Sequence, residues 1–278
     1  MASSRQRRTS RLGRVLGLGV LVLLAACSGA NGSSDDEPAA DEPAATSAAD
    51  DRASGVDADS DLPAIEPGGV ASGRVEIDGT VVDYVTVTPE GFEPGAEAPL
   101  LLALPPGGQD LGLTRSIVER TYATEAARRG WVVVSPAAPN GELYFQGSEV
   151  LLPPLVDWIE SWVMLEGGAP HVAGISNGGI SSFRYAAENP DRVRSIVVFP
   201  GFPQSEADRE ALEELTGVPI RLFVGENDSG WLEAAEEAAA TLQGLGGDAE
   251  LAIVPGEGHI LAATADGTAV FDLLDSFR

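Results

Sequence analysis

The chain contains a single cysteine, two histidines and no lysine among its 278 residues. Because Cys27 is the only cysteine, an internal disulfide is excluded. No Cys/His cluster is present to hold zinc, and without lysine the chain cannot contain the G-x-x-x-x-G-K-[ST] loop that binds nucleotide phosphates. We therefore expect no metal and no cofactor, and a fold whose stability depends on packing.

Positive charge is also scarce. The sequence has 43 Asp and Glu against 17 basic residues, all of them arginine, and its formal net charge is -26. A surface this negative is repelled by nucleic acids and by anionic lipids. The charge therefore argues against a nucleic-acid partner and against peripheral adhesion to a membrane, and it leaves the oligomeric state open.

The first 26 residues have the pattern of an export signal. Five arginines between Arg5 and Arg14 precede an apolar run over residues 15–26, which is too short to span a membrane as a mature helix. Leu24-Ala25-Ala26-Cys27 resembles a bacterial lipobox, which implies that Cys27 is lipidated and anchors the protein at the extracytoplasmic face of the cell membrane. A plain secretory signal with an incidental cysteine is the alternative, and the export route is left open.

Residues 27–72 are predicted to form a disordered acidic tether. Ser, Ala, Asp, Glu, Pro and Gly dominate this segment, with almost no large apolar side chains before Leu62. Such a segment cannot bury enough apolar surface to offset its ordering entropy. The folded domain is therefore expected over residues 73–278, a length sufficient for one hydrophobic core.

From residue 73 onward the hydrophobic pattern predicts an α/β domain. Two alternating segments flank Asp78-Gly79, a turn typical of antiparallel hairpins. Strand and helix patterns then alternate six times, and continuous apolar runs such as residues 99–104 are typical of parallel strands buried on both faces. The last helix is predicted over residues 259–277. The pattern thus predicts an eight-stranded, mostly parallel sheet with helices on both faces and a minimal cap.

A G-x-S-x-G motif, Gly174-Ile175-Ser176-Asn177-Gly178, lies between a predicted strand and a predicted helix. In this motif the chain turns sharply from strand to helix and leaves the serine exposed. A side chain at either glycine would collide with the neighbouring strand or helix. Ser176 is therefore a candidate nucleophile, and an ordinary glycine-containing turn is the alternative.

An acid and a histidine follow two later strands. Functional residues of open parallel sheets gather where the strands end, and Asp228 follows the penultimate strand while His259 follows the last one. A serine hydroxyl needs a base within hydrogen-bond reach, which predicts His259 as the base and Asp228 as the acid that orients it. Glu226 is the competing acid. His171 lies five residues before the serine along a strand, too far for proton transfer, and is predicted to be structural.

The order Ser176, Asp228, His259, and the strand that each residue follows, resemble the α/β-hydrolase superfamily over about residues 73–278. Within it, the chain is most similar to small extracellular serine esterases of the polyhydroxyalkanoate-depolymerase and feruloyl-esterase type. The resemblance implies an α/β-hydrolase fold and a serine esterase activity.

The oxyanion formed when Ser176 attacks an acyl carbon needs preorganised backbone donors. The Asn177 N–H directly follows the nucleophile and is predicted to supply one. The loop over residues 105–109, Pro-Pro-Gly-Gly-Gln, is expected to supply the second, and the family resemblance favours Gly108. Family members commonly have His-Gly where this chain has Pro106-Gly107, and a simple turn is the alternative.

Four aromatic residues in loops at the same rim, Tyr144, Phe145, Phe202 and Trp231, are candidates for an acyl pocket. Their alternative role is to cover the ends of the sheet. Together these features predict a lipid-anchored serine hydrolase that acts through an acyl-enzyme on small-molecule or polymeric carboxylic esters. A peptidase or amidase with the same triad is one alternative, and a non-catalytic binding lipoprotein on the same fold is the other.

Overall fold

A computed structural model describes residues 63–278, so the predicted export signal, Cys27 and most of the predicted tether lie outside the described residues. An eight-stranded sheet forms the centre of the described region. Its strands are β1 (Val70–Ile77), β2 (Thr80–Val87), β3 (Leu100–Leu104), β4 (Val132–Pro136), β5 (His171–Gly174), β6 (Ser195–Val198), β7 (Ile220–Gly225) and β8 (Ala249–Val254). A separate parallel pair joins two-residue strands at Glu97–Ala98 and Met164–Leu165.

The strands are arranged in the order β1-β2-β4-β3-β5-β6-β7-β8. β2 runs antiparallel to both β1 and β4, and all other neighbouring strands are parallel. The eight-stranded, mostly parallel sheet predicted from the sequence is therefore confirmed. Its hairpin turns at Asp78 and Gly79, both at positive φ, as the tight turns that join twisted strands require.

Helices cover both faces of the sheet. They are α1 (Leu111–Ile117), α2 (Ala123–Arg129), α3 (Leu152–Glu160), α4 (Asn177–Glu188), α5 (Glu206–Glu210), α6 (Ser229–Gly244) and α7 (Thr268–Ser276). A π-helical turn at Val118–Tyr122 joins α1 to α2.

The apolar run of β3 supplies both cores because successive side chains of a strand point to opposite faces. Leu100, Leu102 and Leu104 pack in one buried cluster with residues of α3, α4 and α6. Leu101 and Ala103 pack in a second cluster with residues of α1, α2 and α7. This division explains why the strand is apolar at every position.

The predicted start of the last helix is wrong. α7 begins at Thr268 rather than at His259. The intervening residues form a loop with one 3-10 turn at Ala262–Thr264, and Gly267 at a φ of 77° precedes the helix. Helical periodicity alone did not separate this loop from the helix that follows it.

Residues just before the predicted domain boundary at residue 73 are hydrogen-bonded to the sheet. The Ala64 N–H donates to the Tyr84 hydroxyl, and the Thr86 hydroxyl donates to the Ala64 carbonyl. The Thr88 hydroxyl likewise donates to the carbonyl of Glu66. Residues before β1 are therefore held by hydrogen bonds from β2 and the residue after it, which a composition argument does not detect.

The cap between β6 and β7 is small, as predicted. It consists of α5 and a 3-10 turn at Ala211–Leu215. Among residues 63–278, no helix is both long enough and apolar enough to cross a lipid bilayer.

Candidate active site

Ser176 lies at the turn between β5 and α4, with φ of 57° and ψ of -118°. A residue with a side chain is strained at positive φ, so surrounding contacts must hold it there. The Ser176 N–H donates to the Pro200 carbonyl at 2.9 Å, and the Gly179 N–H donates to the Ser176 carbonyl at 2.8 Å. These bonds fix a partly exposed serine at the start of a helix.

The two glycines of the motif are required by close packing. A Cβ on Gly174 would lie 2.1 Å from the carbonyl oxygen of Gly178, in α4. A Cβ on Gly178 would lie 1.9 Å from the carbonyl oxygen of Leu104, in β3. Close-packed interiors do not accommodate such overlaps. The expected collisions with helix and strand are therefore both found.

The structure brings Ser176, His259 and Asp228 into one hydrogen-bonded chain. Nδ1 of His259 lies 2.7 Å from Oδ2 of Asp228, and Nε2 lies 2.8 Å from Oγ of Ser176. A carboxylate only accepts hydrogen bonds, so Nδ1–H donates to Asp228 and Nε2 is left to accept from the Ser176 hydroxyl. In this tautomer the imidazole can take the hydroxyl proton.

The loops that carry the acid and the histidine are bound to each other. The Asn227 N–H donates to the Glu257 carbonyl at 2.8 Å, and a Cβ on Gly225 would lie 2.2 Å from the Gly258 carbonyl oxygen. The competing acid Glu226 instead accepts a hydrogen bond from the Gly256 N–H at 2.8 Å. Glu226 thus supports the histidine loop, whereas Asp228 contacts the imidazole.

The loop over residues 105–109 lies against the start of α4. Asn177 Nδ2 donates to the Gly107 carbonyl at 2.8 Å, and Gln109 Nε2 donates to Ser181 Oγ at 3.0 Å. Among residues 63–278, neither the Gly108 N–H nor the Asn177 N–H donates to a protein acceptor. Neither predicted oxyanion donor is therefore occupied by a described protein acceptor, and their role in an oxyanion hole stays a prediction.

Ser176 and His259 line a pocket of about 720 Å³. Most of its other lining side chains are apolar: Leu113, Ile117, Ile175, Phe199, Ile260 and Leu261. A cavity of this size and composition suits an organic ligand. Within residues 63–278, no three His, Cys, Asp or Glu side chains are grouped closely enough to hold a metal ion.

Two of the four predicted acyl-pocket aromatics, Phe202 and Trp231, lie beside the triad, but neither lines the pocket that holds Ser176. The Trp231 ring centroid is 4.8 Å from that of His259, and the Phe202 ring centroid is 4.8 Å from that of Trp231. Both rings are half-buried.

Tyr144 and Phe145 do not line the pocket, and this correction follows from their burial. The Tyr144 N–H donates to Oε1 of Gln109 and its hydroxyl donates to the Ala137 carbonyl. Tyr144 therefore faces the core, where its polar groups are satisfied. The burial of both residues matches the alternative role of covering the sheet.

His171 is buried in β5 and takes no part in the hydrogen-bonded chain at Ser176. Its Nδ1 shares a hydrogen bond with Oγ of Ser195 at 2.7 Å, and its ring lies 5.0 Å from that of Trp131. Desolvation lowers the pKa of His171 to about 4, with the positive charges of Arg194 and Arg278 acting in the same direction. Its place in the structure is that of a neutral core residue.

One pocket residue was not singled out by the sequence. Arg120 lies in the π-helical turn and lines the pocket together with Thr121. The apolar residues Val118, Tyr122 and Ala126 are spaced as an α-helix also allows, so their spacing does not reveal the π-helical turn. The available signal is the position of Arg120, soon after the loop that is expected to complete the oxyanion hole.

No protein-family model and no curated protein sequence matches the chain. Solved structures match it at low identity. A thermostable esterase has a TM-score of 0.58 and 13% identity over 75% of this chain and 62% of its own. A putative dipeptidyl aminopeptidase IV from Bacteroides ovatus ATCC 8483 has a TM-score of 0.59 and 14% identity over 75% of this chain and 35% of its own. This chain thus spans less than two thirds of both proteins.

A smaller protein matches over nearly its whole length. Dienelactone hydrolase from Anabaena variabilis ATCC 29413 has a TM-score of 0.53 and 21% identity, covering 75% of this chain and 96% of its own. At such identities the similarity shows the fold. Together with the sheet order and the turn at Ser176, it establishes that the described part of the chain has the α/β-hydrolase fold.

Proposed function

We propose that this protein is an extracytoplasmic serine hydrolase that cleaves carboxylic esters through an acyl-enzyme on Ser176. The observation that carries the proposal is the continuous hydrogen-bonded chain from Asp228 through His259 to Ser176, which ends at an apolar pocket. A nucleophile, a base and an orienting acid in hydrogen-bond contact are the parts that acyl transfer requires. The fold is shared with proteins named as esterases, which supports this choice.

Acylation uses each group once. Ser176 Oγ attacks the ester carbonyl carbon while its proton passes to Nε2 of His259, and Asp228 stabilises the imidazolium that forms. The oxyanion accepts hydrogen bonds from the backbone N–H groups of Asn177 and Gly108. Collapse of the tetrahedral intermediate breaks the bond to the alkoxy oxygen, which leaves as the alcohol with the proton from His259.

Deacylation repeats these steps with water. His259 takes a proton from the water molecule as its oxygen attacks the acyl carbon. The bond to Ser176 Oγ then breaks and the serine recovers its proton from the imidazolium. The carboxylic acid product leaves, and the resting hydrogen-bonded chain is restored.

A serine-directed fluorophosphonate probe on the full-length protein tests the nucleophile. We expect labelling that is lost in Ser176→Ala and retained in Ser161→Ala, because Ser161 is exposed and hydrogen-bonded only to the Trp158 carbonyl within its own helix end. Labelling that persists in Ser176→Ala would refute the assignment. No labelling of the wild-type protein at all would favour a non-catalytic binding protein on this fold.

The choice between ester and amide substrates needs a second assay, since a triad does not specify the leaving group. 4-Nitrophenyl esters and aminoacyl 4-nitroanilides would be compared at equal concentration. We expect hydrolysis of the esters that depends on Ser176. Faster cleavage of the anilides would instead identify a peptidase or amidase.

The lipid anchor is a separate proposal that depends on the sequence of residues 1–27. The basic and apolar regions followed by Leu24-Ala25-Ala26-Cys27 support export and lipidation of Cys27. In a bacterial host we expect the protein in the membrane fraction and Cys27→Ser in the soluble fraction. Equal membrane retention of both proteins would contradict lipidation.

A further inference from the structure

Arg120 differs from every other arginine of the described region. Residues 63–278 contain eleven arginines, and ten of them donate hydrogen bonds to carboxylates or backbone carbonyls, as Arg194 does to the Phe277 carbonyl and Arg209 to the Gln204 carbonyl. Arg120 has no hydrogen bond or ion pair to any described residue. Among the described arginines, Arg120 alone thus has neither a carboxylate nor a backbone carbonyl of a described residue as its acceptor, although acids outnumber arginines 43 to 17 in the sequence.

The acids nearest to Arg120 in the sequence and in the pocket loop are engaged elsewhere. Glu119 pairs with Arg115 at 2.8 Å. Oε2 of Glu257 accepts from the Ala262 N–H at 2.7 Å, and Oδ1 of Asp266 accepts from the Thr268 N–H at 3.0 Å. None of these acids lines the pocket, and its lining contains no Asp or Glu at all. Arg120 is thus the only permanently charged group among the described pocket residues.

The backbone around Arg120 is also unusual. It lies in the π-helical turn Val118–Tyr122. π-Helical turns are rare in proteins, and those that occur are often found at functional sites. The turn buries Val118 and Tyr122 in the core, while Arg120 remains exposed and lines the pocket. The π-helical turn therefore keeps Val118 and Tyr122 in the core and at the same time presents the charged side chain of Arg120 to the pocket.

From these observations we infer that Arg120 binds a carboxylate of the substrate, so that the preferred esters carry an anionic group in addition to the scissile ester. The inference rests on the proposed ester hydrolysis and names its substrate class. A guanidinium matches a carboxylate with two parallel N–H···O bonds, and such charge-assisted bonds are shorter and stronger than those between neutral groups.

The kinetic test uses the full-length protein and matched pairs of esters. Mono-4-nitrophenyl adipate and suberate each carry a free carboxylate, and the corresponding methyl 4-nitrophenyl diesters are neutral. We expect kcat/KM to favour the anionic ester by about tenfold or more for at least one chain length. Equal kcat/KM values for both members of each pair would overturn the inference while leaving the proposed ester hydrolysis intact.

Three variants separate a binding role from a structural one. Arg120→Gln is expected to abolish the preference for the anionic ester, and Arg120→Lys to retain part of it, because the lysine keeps the charge but loses the bidentate geometry. Arg115→Gln is the matched control, since Arg115 lies on α1 outside the pocket and pairs with Glu119. It should keep the wild-type preference. An Arg120→Gln variant with an unchanged preference would show that the arginine only covers the pocket rim.

A binding assay keeps the inference testable if no ester is hydrolysed. Monomethyl adipate and dimethyl adipate would be titrated against Ser176→Ala and against Ser176→Ala combined with Arg120→Gln. We expect Ser176→Ala to bind the monoanion more tightly than the diester, and the double variant to lose this difference. No Arg120-dependent binding would overturn the inference. Arg120-dependent binding without hydrolysis would instead refute the proposed activity alone.

Discussion

The polar groups at the two ends of the central sheet differ in whether they have partners within the protein. At the end where the parallel strands begin, Arg129 pairs with Glu125, Asp272 and Asp275, and the Trp131 indole N–H also donates to Asp275. At the end where they finish, the Asp228–His259–Ser176 chain opens into a pocket, and two backbone N–H groups and Arg120 lack a partner among the described residues.

This difference separates groups that hold the fold from groups that are available to a ligand. Buried polar groups in folded proteins are normally bonded within the protein, whereas these groups are exposed or partly exposed and remain accessible to a ligand. Natural proteins depart from locally favourable arrangements mainly at functional sites. We call the end with the Arg129 ion pairs the ionic end and the end with Ser176 and the pocket the open end. Substitutions at the ionic end should mainly change stability, and substitutions at the open end should mainly change activity.

The largest expected effect is on activity at the open end. Asp228→Asn should lower kcat/KM for esters by about 10⁴-fold, because the amide no longer fixes the productive tautomer of His259. Glu226→Gln is the matched control, since Glu226 binds the Gly256 N–H rather than the imidazole. We expect it to lower kcat/KM by less than about tenfold.

Steady-state kinetics on both variants, with circular dichroism to confirm folding, would check this prediction. A larger loss in Glu226→Gln than in Asp228→Asn would reverse the assignment of the acid.

The next effect is on stability at the ionic end. The Arg129 side chain is 12% exposed and pairs with Glu125, whose side chain is 11% exposed. Arg129→Gln removes the ion pairs to Glu125, Asp272 and Asp275, but Glu125 keeps its pair with Arg128 at 2.6 Å, so the free energy of unfolding should fall by about 2 kcal/mol. The kcat/KM of the folded variant should match the wild type. Urea denaturation and ester hydrolysis at low temperature would measure the two quantities, and a loss of kcat/KM without a loss of stability would contradict the division between the ends.

The effect that is smallest at neutral pH concerns His171, because it appears only as the pH falls. Burial lowers its pKa to about 4, so between pH 6.5 and 4 the unfolded chain binds a proton that the folded protein does not. The stability that neutral His171 allows is present above pH 6.5 and is lost as the pH falls, by about 3 kcal/mol in total.

His171→Gln removes this contribution. The difference in free energy of unfolding between wild type and variant, measured by denaturation from pH 7 to pH 4, should therefore shift against the wild type as the pH falls. A difference that is constant with pH would show that His171 titrates normally in the folded protein.

The sequence predicts most of the sheet because its signals are local. The Asp78-Gly79 turn and the apolar runs follow from backbone and burial rules that act within a few residues. The three residues now found in contact were also predicted from the sequence, because topology brings the ends of β5, β7 and β8 to one edge.

Features that depend on distant partners were missed. Tyr144 is drawn into the core by Gln109 and Ala137, which lie elsewhere in the sequence. The π-helical turn and the loop before α7 are equally hidden, because neither changes the residue types that a helix accepts. The role inferred for Arg120 could not be predicted from the sequence, because it depends on the neighbouring acids being paired with other residues.

The positive φ of Ser176 strains the backbone at the residue proposed as the nucleophile. Glycine adopts such a backbone freely, so replacing the nucleophile with glycine relieves the strain while removing the reactive oxygen. Selection for thermal stability alone would therefore favour glycine over serine at position 176. A serine at this position is therefore expected to lower thermal stability slightly relative to glycine, while it provides the hydroxyl that the proposed reaction needs.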